Sequence, residues 1–132
     1  MEITYKTNVA PVTADIIELY ISAGLRRPVD DAVRITEMYA NSNLVVSAWD
    51  YNKLVGVARS LTDFCYCCYL SDLAVHDDYK KQGIGKELIA KTRETLGEQV
   101  TLILLSAPGA MEYYPKVGFD VITNGFIINR ER

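Results

Sequence analysis

Residues 66–105 constrain the fold most strongly, because their hydrophobic pattern changes twice. Residues 66–75 form an aromatic and apolar run that predicts a strand. A turn with two glycines then leads into a helix that we expect to end at Gly97. The apolar face of this helix is formed by Leu88, Ile89, Thr92 and Leu96. Residues 100–105 are continuously apolar, which is typical of a strand buried on both faces. The order strand, helix, strand predicts a parallel pair joined by the helix.

The rest of the chain predicts two helices before this unit and short elements after it. Thr13 is a suitable N-cap for the first helix, and Gly24 is a suitable end. Asp30 or Asp31 can cap the second helix. A further short helix is expected near Ala110. The predicted strands cover residues 2–6, 44–49, 54–62, 66–75, 100–105, 119–122 and 126–129.

These elements predict an α/β (α+β) fold with the order β-α-α-β-β-β-α-β-α-β-β. The sheet is expected to be mixed and mostly antiparallel, with helices flanking it. No internal repeat, low-complexity stretch or Gly/Ser linker divides the sequence. Residues 1–132 are therefore predicted to form a single domain.

Charge and composition exclude several classes of partner. The formal net charge is −3, and no basic run is longer than Lys80–Lys81, which argues against a nucleic-acid partner. No apolar run is long enough to cross a bilayer, and the N-terminus does not resemble a signal peptide. The cysteines are crowded at residues 65–68, in a spacing that suits neither disulfides nor zinc. We therefore expect a cytoplasmic protein with no membrane partner and no metal.

The two-glycine turn carries the clearest chemical signal. Gly83 and Gly85 allow a tight turn and close approach of a ligand to the backbone. The first amides of the following helix have no intrahelical acceptor and lie at the positive end of its dipole, so a pyrophosphate fits there. Lys80, Lys81 and Lys86 add positive charge. On this fragment alone, a glycine turn that merely starts a helix is an equal alternative.

Two motifs together resemble the GNAT superfamily of N-acetyltransferases. The family pattern Gln/Arg-x-x-Gly-x-Gly/Ala after a strand is matched by residues 80–85, Lys-Lys-Gln-Gly-Ile-Gly, with Lys80 in place of Gln or Arg. Residues 113–119, Tyr-Tyr-Pro-Lys-Val-Gly-Phe, are similar to the family's Phe-Tyr-x-x-x-Gly-Phe signature. The element order matches over nearly the whole chain. The resemblance implies that the protein is an enzyme which uses acetyl-CoA to acetylate an amine.

The resemblance also implies roles for individual residues. Tyr114 matches the tyrosine that lies near the coenzyme sulfur and can protonate the leaving thiolate, although Pro115 after it restricts its conformation. Backbone groups of the strand would bind pantetheine, and the turn amides would bind pyrophosphate. The implied acetyl-CoA contacts are Leu73, Ala74, Val75, Lys80, Lys81, Gln82, Gly83, Ile84, Gly85, Lys86, Ser106, Ala107 and Tyr114.

Amine acetylation also needs a group that accepts the proton of the amine. Asp72 interrupts an apolar strand one residue before the expected pantetheine contact, so it is the candidate base. The alternative is that its carboxylate binds backbone amides at a strand bulge.

Two rival functions stay open on the sequence. One is a non-catalytic acyl-CoA-binding or sensing module with the same fold, and the other is a domain that acts mainly in protein interaction. The acceptor is expected to be a small-molecule amine, although a peptide or protein amine is also compatible. Its charge is left open by Arg26-Arg27 and Asp30-Asp31 in the segment expected to shape its site. A homodimer is compatible with the sequence, which contains no surface stripe that requires one.

Overall fold

A five-stranded sheet forms the centre of the protein, whose residues 2–132 are described by a computed structural model. The strands follow one another across the sheet in chain order, and only the last pair, β4 and β5, is parallel. The strands are β1 (Ile3–Thr7), β2 (Leu44–Asp50), β3 (Lys53–Thr62), β4 (Cys67–Val75) and β5 (Thr101–Ile103). The α-helices are α1 (Thr13–Ala23), α2 (Ala32–Ala40), α3 (Ile84–Leu96) and α4 (Tyr113–Lys116). Short 3₁₀ helices span Asp77–Tyr79 and Pro108–Ala110.

The sheet lies between two helical layers. Buried residues of α3 pack against one face, and buried residues of α1 and α2 pack against the other. The approach of α3 depends on Gly56 of β3, because a Cβ there would lie 3.0 Å from a methyl carbon of Ile84. The helical face predicted for α3 is confirmed, since Leu88, Ile89, Thr92 and Leu96 are all buried.

A bulge in β4 changes which face its side chains occupy. Arg59 of β3 pairs with Asp72, and the next residue, Ser60, pairs with Leu70, so Ser71 is the extra residue. Leu70 therefore packs on the α3 side, whereas Asp72 and Ala74 face α1 and α2. This shift of one residue turns a carboxylate into the interior of the α1 and α2 layer.

The two parallel strands separate soon after they meet. Cys67–Tyr69 pair with Thr101–Ile103, and no further pairing joins β4 to β5. Beyond this point the cleft-side edge of β4, residues 70–75, has no neighbouring strand in the described part of the chain. A cleft therefore opens between β4 and the chain that follows β5.

The two closing strands predicted at residues 119–122 and 126–129 are absent from the structure. The apolar pattern suits strands, but these residues make no backbone ladder with β5, and Phe126 and Ile128 are 100% and 99% exposed. The strand predicted at residues 100–105 is present as β5, but it is shorter and less buried than predicted. β5 has three residues at the sheet edge, and Ile103 is 41% exposed, so the strand is not buried on both faces.

The helix ends are set largely as predicted, with one exception. Gly24 ends α1 at a φ of 73°, and the Asp31 side chain accepts a hydrogen bond from the Arg34 amide at the start of α2. Thr13, however, is not an N-cap, because Val12 occupies that position. The Thr13 hydroxyl instead pairs with the hydroxyl of Thr36 on α2 at 2.6 Å. A contact between helices has taken the place of local capping.

Candidate functional site

The cleft beside β4 has a volume of about 1690 Å³ and brings most of the predicted coenzyme residues together. Of the predicted residues, Asp72 and Gln82 do not line it. Those that do line the cleft are Leu73, Ala74, Val75, Lys80, Lys81, Gly83, Ile84, Gly85, Lys86, Ser106, Ala107 and Tyr114. One wall is the open edge of β4, which offers backbone groups to an extended ligand.

The N-terminus of α3 presents a row of amides to one end of the cleft. Gly83 is the N-cap at a φ of 82°, and Lys81 before it has a φ of 64°, so the turn runs through the left-handed region twice. The amides of residues 81–86 donate to no other described residue. The first amide that does donate belongs to Glu87, whose hydrogen bond to the Gly83 carbonyl is 3.0 Å long. This arrangement can bind an anion.

Gly85 is required by the packing of α4 against this turn. A Cβ at Gly85 would lie 2.7 Å from the Tyr113 hydroxyl oxygen, well inside van der Waals contact. Tyr113 thus lies directly over the first turn of α3 and forms part of the cleft wall. No role for Tyr113 was predicted from the sequence, where only its place in the second motif marks it.

Tyr114 is half-buried in the cleft wall between two other aromatic rings. Its ring packs edge-on against Tyr113 and Phe119, with centroids 5.2 Å and 5.6 Å away. Burial raises the pKa of its hydroxyl above the ordinary value, Tyr113 adds to the rise, and Arg27 opposes it. Tyr114 is therefore held protonated over the neutral range and can donate a proton.

Pro115 fits α4 without breaking it. It lies in the first turn of this four-residue helix, where an amide would have no intrahelical acceptor. The Tyr114 carbonyl still accepts from the amides of Val117 and Phe119, each at 3.1 Å. The conformational restriction expected from Pro115 is thus compatible with a tyrosine that lines the cleft.

Asp72 lies behind the cleft wall, fully buried between two guanidinium groups. Arg27 Nε donates to its Oδ1 at 2.7 Å, and Arg59 Nε donates to its Oδ2 at 2.9 Å. The Tyr20 hydroxyl also donates to Oδ2 at 2.6 Å, and the hydroxyls of Tyr20 and Tyr39 are hydrogen-bonded to each other. The carboxylate thus joins α1, the α1–α2 loop, β3 and β4.

These neighbours decide the charge of the Asp72 carboxyl. Burial alone would raise its pKa, but hydrogen bonding and charge attraction from Arg59, with help from Tyr20 and Arg27, bring the pKa below its usual range. A carboxylate with a lowered pKa and occupied oxygens is a weak proton acceptor. The base role of Asp72 stays a prediction, and the geometry favours a positioning role. The alternative of a carboxylate bound to bulge amides does not match its contacts.

The partners of Asp72 were not predicted from the sequence; they are Tyr20, Arg27, Arg59 and the Ser71 hydroxyl. The one sequence feature that points to such a network is Arg59, because a charged residue within an apolar strand needs a buried partner. Tyr20 is one of the buried residues of α1, and the sequence gives no indication of the partner of its hydroxyl. The network depends on contacts between residues that are far apart in the chain.

Two further features bear on the predicted partners. Among residues 2–132, no helix is long and apolar enough to span a membrane. The described residues contain no cluster of three or more His, Cys, Asp or Glu side chains with the geometry of a metal site. Cys65 and Cys67 are exposed and Cys68 is buried, all as free thiols.

Comparison with known proteins identifies relatives of the whole arrangement. The model of the acetyltransferase (GNAT) domain family matches residues 24–129. An uncharacterized N-acetyltransferase, ycf52-like, of Prochlorococcus marinus is 30% identical over 86% of this chain. The chain spans 67% of that relative's length and 49% to 63% of the next three curated relatives.

Solved structures show the same fold. Protein SA2161 of meticillin-resistant Staphylococcus aureus superposes with a TM-score of 0.80 at 24% identity, covering 98% of this chain and 100% of that one. The aminoglycoside N-acetyltransferase AAC(6')-Iy, solved in complex with CoA, has a TM-score of 0.73 at 14% identity, covering 99% and 96% of the two chains. The match to the family model, over a cleft built from both predicted motifs, shows that the chain belongs to the GNAT acetyltransferase family.

Proposed function

We propose that the protein transfers the acetyl group of acetyl-CoA to an amine by direct attack of the amine on the thioester. One observation carries the proposal: a single cleft joins the open edge of β4 to the donor-rich N-terminus of α3. Coenzyme A contains an extended amide-containing arm joined to a pyrophosphate, and these two consecutive parts match the two features. Membership of an acetyltransferase family supports the same conclusion.

Residues of the cleft fit the coenzyme along its length. Backbone groups of Leu73 and Val75 lie on the open edge of β4, where they can pair with pantetheine. Amides of residues 81–86 can hold the pyrophosphate, and Lys80, Lys81 and Lys86 supply mobile positive charge. A protein of the same fold, AAC(6')-Iy, was solved in complex with CoA, which supports this use of the cleft.

The chemistry divides between the coenzyme and the chain. When bound, acetyl-CoA supplies a thioester with a polarised carbonyl and a thiolate leaving group. Tyr114 lines the cleft in its protonated form and donates its proton to the departing sulfur. Amides on the open edge of β4 stabilise the carbonyl oxygen. Asp72 holds Arg27 and Arg59 in place from behind the wall.

A non-catalytic acyl-CoA-binding module is the second candidate. The observation that favours it is the absence of any Asp or Glu from the described residues of the cleft wall, which leaves no direct carboxylate base. Coenzyme binding without acetyl transfer or thiol release, across a panel of amines, would establish this alternative.

Cytoplasmic location and the absence of nucleic-acid or membrane partners stay predictions.

Calorimetric titration of acetyl-CoA into wild type and Gly83→Asp tests the coenzyme site. Gly83→Asp puts a negative charge among the amides of the α3 N-terminus and should weaken binding at least about tenfold. Gly97→Asp is a matched control, because Gly97 ends α3 at a φ of 81° and, as at Gly83, no heavy atom lies within 4 Å of the position that a Cβ would take. It should bind like wild type. Absence of binding to the folded wild-type protein would falsify the proposal.

A further inference from the structure

The cleft wall is strongly cationic, although the whole chain has a formal net charge of −3. Nine Arg and Lys side chains line it, and no Asp or Glu among the described residues does so. The cationic residues are Arg26, Arg27, Arg34, Arg59, Lys80, Lys81, Lys86, Arg130 and Arg132. Such a concentration of one charge in a cleft raises the local concentration of anionic ligands.

In the proposed coenzyme complex, the phosphates provide an anionic partner for the three lysines. They provide none for the arginines. Arg26 and Arg27 lie on the loop between α1 and α2, Arg34 lies on α2, and Arg59 lies on β3. These elements are remote in sequence from the glycine turn. We call Arg26, Arg27, Arg34 and Arg59, which all line the cleft, the arginine region.

Pairing within the protein leaves this region with excess positive charge. Arg27 and Arg59 share the single carboxylate of Asp72, so two cations are matched by one anion. Arg26 and Arg34 form no ion pair with another described residue. The region is thus positively charged after every internal ion pair has been counted.

Arg27 is the anchor of this region, because its position is fixed while part of its donor set is unused. Its Nε donates to Asp72, its Nη1 to the Arg26 carbonyl and its Nη2 to the Ser71 carbonyl. A guanidinium has five N–H donors, so two remain for a ligand. Its side chain is 27% exposed. A preorganised guanidinium of this kind suits a carboxylate or phosphate oxygen.

Arg59 has a different role, since its donors are all used. Its Nε and Nη2 donate to Asp72, Nη1 donates to Ser42 and the Met38 carbonyl, and Nη2 also donates to Ser71. Its side chain is 8% exposed. Arg59 thus fixes Asp72, and Asp72 fixes Arg27.

We propose that the acetyl acceptor is an amine that also carries an anionic group, a carboxylate or a phosphate, which Arg27 binds with Arg26 and Arg34. This inference rests on the proposed acetyl transfer. The cationic wall has a second consequence for the same substrate. Nearby positive charges disfavour an ammonium group, so they favour the neutral amine that attacks the thioester. Loss of the amine proton to solvent is thereby assisted in a cleft whose wall, among the described residues, contains no carboxylate.

Matched pairs of amines, assayed with acetyl-CoA and wild-type protein, test the substrate class. Each α-amino acid is compared with its α-carboxamide, and phosphoethanolamine with ethanolamine. We expect kcat/KM to fall at least about tenfold when the anionic group is removed. The better of the two anionic sets identifies carboxylate or phosphate as the group bound. Transfer to neutral or polycationic amines at equal or higher kcat/KM would overturn the substrate class while leaving the acetyltransferase proposal intact.

Variants locate the effect in the cleft. Arg27→Gln and the double variant Arg26→Gln/Arg34→Gln should each raise KM for the best anionic amine by about tenfold or more. The dissociation constant of acetyl-CoA, measured by calorimetry, should stay within about twofold of wild type. Arg93→Gln on the exposed side of α3, outside the cleft, removes the same charge and should change neither value.

Two outcomes separate the two proposals. If the wild-type protein neither binds acetyl-CoA nor acetylates any of the amines, the acetyltransferase proposal itself is refuted. Unchanged KM for anionic amines in the arginine variants, with wild-type coenzyme binding, would refute only the anionic acceptor. Because Arg26 and Arg34 are exposed, their double variant tests the proposal even if Arg27→Gln fails to fold.

Discussion

At the scale of single residues, Asp72 is surrounded by groups that stabilise its charged form. Arg59, Arg27 and Tyr20 each donate to its carboxylate, and its side chain has no exposed surface. Replacing such a group removes the counter-charge from cations that stay buried. The carboxylate is therefore expected to matter for stability and for the position of Arg27, rather than for proton transfer.

Asp72→Asn should lower the free energy of unfolding by about 3 kcal/mol, because Arg59 keeps its charge in a nearly closed site. Urea titration at neutral pH measures this change. The pKa of Asp72 is lower in the folded protein than in the unfolded chain, where it is about 4. Its contribution to the free energy of unfolding is therefore present above that pH and is lost as the pH falls through the folded pKa. The stability difference between wild type and Asp72→Asn should therefore shrink in acid.

The kinetic test of Asp72 is the acid limb of the pH–rate profile. A positioning role predicts that Asp72→Asn keeps the wild-type acid limb, while the KM of the acceptor rises through a displaced Arg27. An acid limb that vanishes in the variant would instead make Asp72 the base.

Tyr114→Phe should lower kcat by about 100-fold, in line with the loss of a general acid, with little change in acetyl-CoA affinity. Burial raises the pKa of Tyr114, so the donating form persists as the pH rises to the ordinary tyrosine value near about 10 and beyond it. Wild-type activity should thus show no loss from this group between about pH 7 and about 10. Steady-state kinetics measures kcat, and calorimetry measures the affinity for acetyl-CoA. An unchanged kcat would show that Tyr114 is not the general acid.

At the scale of elements, the first turn of α3 approaches the short helix α4 closely where Gly85 meets Tyr113. The Tyr113 hydroxyl occupies the space that a Cβ of Gly85 would need. Glycine within a helix is unfavourable relative to alanine by about 1 kcal/mol, so packing must offset this cost. The two motifs of the family, separated by almost 30 residues, meet at this point.

A double-mutant cycle tests that contact. Gly85→Ala should destabilise the protein, because its Cβ would lie 2.7 Å from the Tyr113 hydroxyl oxygen. Tyr113→Phe removes that oxygen, after which the nearest ring carbon is at 3.7 Å, an ordinary contact. The double variant Gly85→Ala/Tyr113→Phe should therefore recover at least about 1 kcal/mol of the loss. Additive effects in urea titrations would contradict the contact.

At the scale of the whole molecule, the sheet has an open edge, and the chain after α4 carries an exposed apolar segment. β5 ends the sheet, and residues 121–128 leave five large apolar side chains exposed, namely Val121, Ile122, Phe126, Ile127 and Ile128. An open strand edge and exposed apolar groups each favour association with another chain. This feature gives a physical basis for the homodimer, which stays a prediction.

Phe126→Ser/Ile128→Ser should weaken self-association, measured by sedimentation equilibrium over a range of protein concentrations. Because both side chains are almost fully exposed, the free energy of unfolding of the monomer should change by less than about 0.5 kcal/mol. Phe64→Ser is a control, since Phe64 is an exposed aromatic residue in the loop between β3 and β4. Equal self-association of wild type and the double variant would exclude this surface as the interface.

Local patterns were sufficient to predict most elements and many of the residues that line the cleft. Helical spacing identified the buried face of α3, and Gly83 with Gly85 identified its donor-rich N-terminus, since both signals lie within a few consecutive residues. The fold class and the parallel crossover follow from these same features, whereas the GNAT family was indicated by the resemblance of residues 80–85 and 113–119 to its two motifs. Each depends on side-chain type and spacing along the chain, which are properties of the sequence itself.

Tertiary structure alone decided the absence of the closing strands, the role favoured for Asp72 and the positive charge of the cleft wall. Residues 126–129 have a strand pattern but do not pair with the open edge of β5, and a ladder needs the pairing as well as the pattern. The bulge at Ser71 turned Asp72 toward Arg27 and Arg59, whose contacts cross 45 and 13 positions of sequence. Arginines from three separate elements then converge on one cleft. Such juxtapositions depend on register and packing between distant segments, and local sequence does not contain that information.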